Sequence, residues 1–260
     1  SVAGALPAGV SLIRTRPYRS PHHSVSPAGF SGGGGGSMPR PGEMSLAHNG
    51  VLFLDELPEF SRDVLEVMRQ PLEDRKICVA RASYKVEYPA GVMLVASMNP
   101  CPCGYYNHPT KECTCSASAV HRYRAHISGP LMDRIDIHIE VEPVAISEMT
   151  DSKPAESSAE IRKRVVAARD IQLRRFKGLD IHSNAMMNSA MLRKFAPLDS
   201  ACSALLERAM TRLNLSSRAY DRIIKVARTI ADLEGVDNIT PQHIAEAIGY
   251  RSLDRENWGQ

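Results

Sequence analysis

The sequence predicts an α/β domain built on a parallel sheet, followed by an all-α domain. Three observations carry this expectation. Val51–Leu54 (VLFL) and Val92–Ala96 (VMLVA) are short, continuous apolar runs, as in strands buried on both faces of a parallel sheet. Each run ends at polar residues, Asp55-Glu56 after the first and Ser97 and Asn99 after the second. Beyond a polar stretch at Pro143–Ser158, the apolar residues recur at helical spacing.

Taken in order, Ser11–Asn49 is rich in Pro, Gly, Ser and His, and its centre, Ser31–Ser37, reads SGGGGGS. That is loop or linker composition. A glycine run cradles phosphate when it is fixed before a helix and usually followed by Lys, and neither feature is present. Phe60–Leu72 reads as a helix with Ser61 as N-cap and a stripe of Val64, Leu65, Met68 and Leu72. Ile77–Tyr88 (ICVARASYKVEY) has two β-prone arms around Arg81-Ala82-Ser83 and predicts a hairpin. Ile135–Val141 alternates apolar and polar residues, the pattern of an outer strand.

The domain boundary is placed within Pro143–Ser158. After it, Ala159–Phe176 carries Ile161, Val165, Ala168 and Phe176 on roughly one side. Arg162, Lys163, Arg164, Arg169, Arg174 and Arg175 occupy the others, which reads either as a solvated face or as a DNA contact. Asp199–Leu213 and Ser217–Leu233 are amphipathic, with Gly235 as the C-cap of the latter. Thr240-Pro241 pairs an N-cap with Pro at the first helical position and opens a last helix, Gln242–Ile248.

With 260 residues, 43% hydrophobic and 23% charged, the chain has the composition of a globular protein with one or two domains. No apolar run approaches the roughly 20 residues that span a bilayer. A net charge of +3 is too small to mark a nucleic-acid binder by itself, so local clusters matter more. The opening SVAGALPAGV has neither an initiator Met nor a basic n-region, and reads as a cut inside a longer protein. A cytoplasmic location with reduced thiols is expected.

The carboxyl edge of a parallel sheet is where α/β folds bind ligands, and Asp55 and Glu56 fall there. One carboxylate can hold Mg²⁺ while its neighbour polarises a water, which is the layout of a Walker B strand. The alternative is an ordinary solvated strand end. No G-x-x-x-x-G-K-[ST] phosphate loop occurs anywhere in the 260 residues, so only half of a nucleotide site is written here. Asn99 suits a hydrogen bond to a γ-phosphate or to the attacking water; it also suits a turn before Pro100. Arg134, in GPLMDRIDIHIE, reads as an arginine finger or as a surface partner of Asp133 or Asp136. Cys101, Cys103, Cys113 and Cys115 form two C-x-C pairs, the right ligand count for a closed Zn²⁺ site, with His108 and His121 as possible substitutes. Free thiols or adventitious disulfides are the other reading. His22-His23 are read as structural or interface residues, not as metal ligands.

Together, RSPHH (Arg19–His23), PRPGE (Pro39–Glu43), HNGVLFLDELPEF (His48–Phe60), VASMNPCPCG and GPLMDRIDI resemble the magnesium-chelatase-like AAA+ ATPases, nearest to the ComM/YifB branch. The likeness covers nearly the whole chain, with NLSSRAYDRIIKVARTIADLEG (Asn214–Gly235) resembling the family's lid. It implies a partial α/β AAA+ core over 1–145, a linker at 146–158 and a helical lid over 159–260. Within the core it implies a helix-2 insert at about 11–50, a pre-sensor-1 hairpin at about 77–88 and a Cys-rich loop at 101–115. It implies that Asp55 binds Mg²⁺, Glu56 orients the hydrolytic water and Asn99 is the sensor-1 residue. By the same resemblance Arg134 is a finger acting in trans and Arg218 the sensor-2 arginine that contacts ATP.

In relatives the phosphate loop precedes this segment. The chain by itself is therefore expected to bind ATP poorly and not to hydrolyse it. Hairpins of related ring helicases grip DNA, which makes Arg14, Arg16, Arg19, Arg81 and Lys85 candidate phosphate contacts and Tyr84 a stacking residue. The expectation is a hexameric ATP-driven DNA motor with helicase or branch-migration work, with no membrane partner. An alternative is a chelatase or protein-remodelling subunit acting on a partner protein. A third is a zinc-stabilised interaction module without catalysis.

Overall fold

The computed structural model describes residues 15–33, 39–81, 84–142, 144, 155–251 and 253, with Arg81 and Tyr84 described by their backbone alone. The chain divides into two compact units, with described residues 15–135 in the first and 136–253 in the second.

In the first unit a parallel sheet runs in the order β1 (Tyr18–Arg19), β4 (Val51–Leu54), β7 (Met93–Ala96). Its register pairs Tyr18 with Val51, and Leu54 with Ala96. Leu52 and Leu54 are fully buried and belong to a core that includes Phe30, Met44, Phe60, Val64, Leu65 and Met68. The opposite face is open: Tyr18, stacked on Phe53, is exposed, as are Met93 and Val95. The apolar runs were expected to be buried on both faces; among the described residues only one face is covered.

The Pro- and Gly-rich stretch expected as a loop supplies β1, a short helix α1 (Pro27–Ser31), a pairing of β2 (Gly32–Gly33) with β3 (Arg40–Pro41), and α2 (Glu43–Leu46). Two glycines are required by close packing. A Cβ on Gly50 would sit 1.9 Å from the Pro17 carbonyl oxygen, and one on Gly42 would sit 2.4 Å from that of Phe30.

Ser61 caps the next helix as expected, its hydroxyl accepting the Val64 N–H. The helix divides at Met68 into α3 (Arg62–Val67) and α4 (Arg69–Asp74), where Pro71 lacks an N–H to donate. β5 (Lys76–Arg81) and β6 (Tyr84–Pro89) form the expected antiparallel hairpin, with Arg81 opposite Tyr84 at its far end. Ile77 and Tyr88 are buried at the base, and the Tyr88 hydroxyl donates to the Pro39 carbonyl at 2.6 Å. Helices α5 (Ala117–Arg124) and α6 (Gly129–Met132) complete the unit.

The segment read as an outer strand, Ile135–Val141, forms none. Alternation sets the side-chain pattern, but a strand also needs an edge to pair with. In the second unit, residues 136–142 are held instead by the His138 N–H, which donates to the Tyr250 carbonyl at 2.7 Å, and by an ion pair of Asp136 with Arg222. Ile137, Ile139 and Val141 are exposed.

The rest of that unit is helical: α7 (Ser158–Arg175), α8 (Ser189–Phe195), α9 (Ser200–Arg212), α10 (Ser217–Glu234) and α11 (Pro241–Gly249). Their core gathers Phe176, Leu192, Cys202, Leu206, Ile223, Ala227, Ile244 and Ala247. Asp199 and Ser216 cap α9 and α10, Gly235 ends α10 at φ 77°, and Thr240 with His243 makes a capping box on α11. Helix α7 departs from expectation, since Ile161 and Val165 are exposed and its buried residues are Ala168 and Gln172.

Candidate active site

The three parallel strands deliver their polar ends to one edge. After Leu54 the chain turns sharply. Asp55 and Glu56 are exposed, and Glu56 adopts a left-handed conformation at φ 53°, ψ 51°. A side chain in that region costs on the order of 1 kcal/mol, which the surrounding bonds must offset. The Glu56 N–H donates to Asp55 Oδ1 at 3.1 Å, and the Ser97 hydroxyl donates to the same oxygen. The Leu57 N–H donates to the Ser97 carbonyl at 2.9 Å. The ends of β4 and β7 are thereby stitched together. The exposed carboxylate of Asp55 and the Ser97 hydroxyl are hard oxygen donors, the class that suits Mg²⁺. Asn99, also exposed, lies three residues past the end of β7, the strand paired with the one that ends at the acidic pair.

Tyr123 of α5 borders the same edge. Burial and the charges of Glu59 and Glu56 raise its phenol above the ordinary value, partly offset by the backbone N–H of Asn99.

β1 brings two further groups. Arg19 makes a bidentate pair with Glu43, at 2.6 Å to each carboxylate oxygen, and that hydrogen bonding raises its guanidinium pKa. RSPHH and PRPGE are thus joined, and Arg19 is a strut in this structure. Beyond it, His23 Nδ1 lies 3.7 Å from Glu56 Oε2, and the His22 and His23 rings are 4.0 Å apart. His23 was not read as a site residue. β1 is only two residues long, too short to show a strand period from which this placement follows.

Arg134 pairs with neither Asp133 nor Asp136. Its Nη2 bonds Glu73 at 2.6 Å and its Nη1 bonds the Pro130 carbonyl at 2.7 Å, with the side chain only 8% exposed. Arg218, in the second unit, is exposed at the second position of α10, beside a depression lined by Ser189, Met210, Tyr220 and Asp221. Of the residues read as DNA contacts, Arg16 bonds the Asn49 carbonyl at 2.6 Å and Lys85 is exposed on β6. Arg14 and the side chains of Arg81 and Tyr84 lie outside the described residues.

The four clustered cysteines converge. Cys101 Sγ is 3.4 Å from Cys103 and 3.7 Å from Cys113, Cys103 is 3.5 Å from Cys113, and all four sulfurs lie within 4.8 Å of one another. A tetrahedron with Zn–S near ~2.3 Å has edges of about 3.8 Å, so the donor set fits a metal ion. The backbone N–H of Tyr105 holds the Cys103 thiol down at about 5, against the effect of burial. Cys113 receives the Cys115 N–H, but burial and the neighbouring Cys103 and Cys101 sulfurs push it up to about 12. Crowded thiols split in this way because a second thiolate is repelled by the first; a bound cation lets all of them ionise. His108 is engaged within its own turn, accepting N–H bonds from Thr110 and Lys111 at 3.2 and 3.1 Å. His121 is not part of the converging group.

Comparison with known proteins identifies the family. Residues 1–149 fit the family model described as magnesium chelatase, subunit ChlI, and residues 155–251 fit that of the ChlI C-terminal part. The chain is 47% identical over 244 residues to the uncharacterized protein YifB of Escherichia coli K12. It is 45% identical over 244 residues to the competence protein ComM of Haemophilus influenzae. Each alignment covers 93% of this chain and 46% of the relative, so the chain spans about half the length of the curated relatives it matches. A more distant likeness, 22% over 224 residues, is to the DNA replication licensing factor mcm6 of Schizosaccharomyces pombe, covering 79% of this chain and 23% of that protein. With its parallel-sheet core and helical C-terminal region, the chain belongs to the magnesium-chelatase-like AAA+ family, in its ComM/YifB branch.

Proposed function

We propose that this chain is the hydrolytic and lid portion of an ATP-driven AAA+ motor that moves along DNA. The observation that carries the reading is the shared edge, with Asp55 and Glu56 ending β4 and Asn99 following the adjacent β7. Asp55 is the Mg²⁺ ligand, and the ion supplies neutralisation of charge on the transferred phosphoryl group. Glu56 orients the attacking water and accepts its proton. Asn99 holds that water or the γ-phosphate in line. Arg134 and Arg218 complete the charge stabilisation, Arg134 from a neighbouring copy in a hexameric ring. The residues that cradle the phosphates are proposed to come from the part of the whole protein outside this sequence. The four-cysteine site is assigned a structural Zn²⁺.

DNA is the proposed track because the hairpin carries Lys85 and Arg81, and because a licensing factor for DNA replication is among the relatives. The family model, named for a magnesium chelatase, favours a partner protein as the alternative object of the motor.

Steady-state ATP hydrolysis by the whole protein, with and without single-stranded DNA, tests both readings. Glu56→Gln is expected to keep nucleotide binding and lose about 10²–10⁴ in rate, the usual worth of a general base. Turnover that DNA leaves unchanged would favour the partner-protein reading. Full turnover by Glu56→Gln would remove the hydrolytic assignment.

A further inference from the structure

Asn99 and the cysteine cluster belong to one closed circuit of chain. Asn99-Pro100 runs directly into Cys101, which is buried. The Cys101 carbonyl accepts the Gly104 N–H at 3.0 Å. Gly104, at φ +81°, folds the chain back over its own start, so that a Cβ there would lie 3.9 Å from Asn99 Oδ1. The second arm, Cys113–Cys115, returns to the first through sulfur contacts of 3.5 and 3.7 Å. Ser116 then caps α5, and α5 carries Arg124 back to the beginning of the circuit. There Arg124 Nε donates to the Pro100 carbonyl at 3.2 Å, and its guanidinium lies 4.5 Å from the centre of the Tyr106 ring. Tyr123, on the same helix, is within reach of the Asn99 backbone N–H.

The two arms of this circuit meet at sulfur. Four thiols in van der Waals contact provide little cohesion on their own. A divalent metal bonded to all four replaces those contacts with coordinate bonds and removes the freedom of the intervening residues. The part of the chain fixed most directly is the part nearest the cluster, and Asn99 is two residues from Cys101.

We propose that the metal site of Cys101, Cys103, Cys113 and Cys115 is a positioning device for Asn99, setting the rate of hydrolysis through the geometry of that one side chain. The proposal rests on the reading above that Asn99 acts in hydrolysis and that the cluster holds zinc. The cysteines touch neither Asp55 nor Glu56 among the described contacts, so they act through Asn99 and are not catalytic residues. A displacement of about 1 Å in a group that orients a reactant costs on the order of 10²-fold in rate, which is the scale expected here.

The test uses the whole protein, reduced, before and after removal of metal by a chelator, and after Zn²⁺ is added back. Hydrogen exchange read by mass spectrometry is followed over residues 97–104 and 117–124, with 217–234 as a check that the fold persists. Metal removal is expected to raise exchange at 97–104 and 117–124 by about tenfold or more and leave 217–234 unchanged, as for a local opening. It is also expected to lower kcat by about 10²-fold with nucleotide affinity kept, and Zn²⁺ is expected to restore both. Gly104→Ala, which keeps all four thiols but strains the left-handed turn that folds back over Asn99, is expected to keep zinc and lose turnover.

Stoichiometric zinc whose removal leaves exchange at 97–104 unchanged overturns the coupling while leaving the metal assignment intact. Absence of bound zinc, with Cys103→Ser behaving as wild type, overturns both. If Asn99→Ala hydrolyses normally, the sensor assignment fails and the rate argument with it, whatever the exchange data show.

Discussion

His23 Nδ1 lies 3.7 Å from Glu56 Oε2, bringing a group four residues beyond β1 against the carboxylate that follows β4. Glu56 sits in a left-handed turn, so the direction of its side chain is set by an uncommon backbone geometry. His23 is therefore placed to select one carboxylate orientation. In the whole protein, His23→Ala is expected to lower ATP turnover by about tenfold, the scale of a modest misalignment. The free energy of unfolding should stay within about 0.5 kcal/mol of wild type, as for a partly exposed side chain. Steady-state kinetics beside a thermal melt distinguishes this from a fold defect; equal turnover in the two proteins would show the contact to be incidental.

Stability of the helical unit should depend on Asp232, whose side chain is 0% exposed. It accepts hydrogen bonds from Arg175, from Arg228 and from Asn184. Arg228 in turn donates to the Val236 carbonyl at 2.6 Å and to that of Asp237, which ties α10 to the chain beyond its cap. Removing one partner of a buried pair strands the other, so Asp232→Ala is expected to cost about 3–5 kcal/mol in urea unfolding. Burial works against the Asp232 carboxylate, but Arg175 and Asn184 outweigh it and hold its pKa below the ordinary value. A depressed folded pKa means that this stabilisation is present above the unfolded value, about 3.9, and fades as pH falls through the folded one. The gap between wild type and variant should be flat from about pH 7 to 5 and shrink below about pH 4.

Much of this could be read from the residues in advance, and the exceptions share a physical cause. Val51–Leu54 and Met93–Ala96 announced themselves by apolar runs, and Ser61, Asp199, Gly235 and Thr240 by capping chemistry, because each is a local rule acting over a few residues. β1 escaped because a two-residue strand has no period, and with it went the placement of His23. Ile137, Ile139 and Val141 alternate like a strand but lack a paired edge among the described residues, and pairing is not a local property. The partners of Arg19 and Arg134 are 24 and 61 residues away, beyond any spacing rule. The four cysteines stood out as a group because all lie within Cys101–Cys115, while their C-x-C spacing left metal ligands and free thiols both open until the sulfurs were seen to converge.

Arg134 is assigned a role in trans, yet it is held by Glu73 and shielded from solvent. Two variants separate finger from strut. If Arg134 acts on a neighbour's phosphate, Arg134→Ala should lower turnover of the assembled protein by roughly 10³-fold or more. Glu73→Gln, which weakens the tether and keeps the guanidinium, should then leave turnover intact or raise it. If the residue is only a strut, both variants should lower the melting temperature and turnover together. The charged hydrogen bond alone is worth about 1.5–3 kcal/mol, enough for either melt to register.

Salt dependence of DNA binding discriminates among the cations read as DNA contacts. Arg19 is committed to Glu43 through two bonds, and Arg16 spends one nitrogen on the Asn49 carbonyl. Lys85 is exposed on β6 opposite Ala80, on the outward side that also carries the Lys76–Glu87 ion pair. Each phosphate contact adds about 0.7–0.9 to the slope of log affinity against log salt. For the whole protein and single-stranded DNA, Lys85→Ala should therefore reduce that slope by about 0.7 and weaken binding evenly across sequences. Arg19→Ala should leave the slope within error and lower stability instead, because it leaves Glu43 without its partner beside β1. Fluorescence anisotropy at several salt concentrations reads both. An unchanged slope for Lys85→Ala would take this face of the hairpin off the DNA path, and a reduced slope for Arg19→Ala would show that its pair with Glu43 opens when DNA is bound.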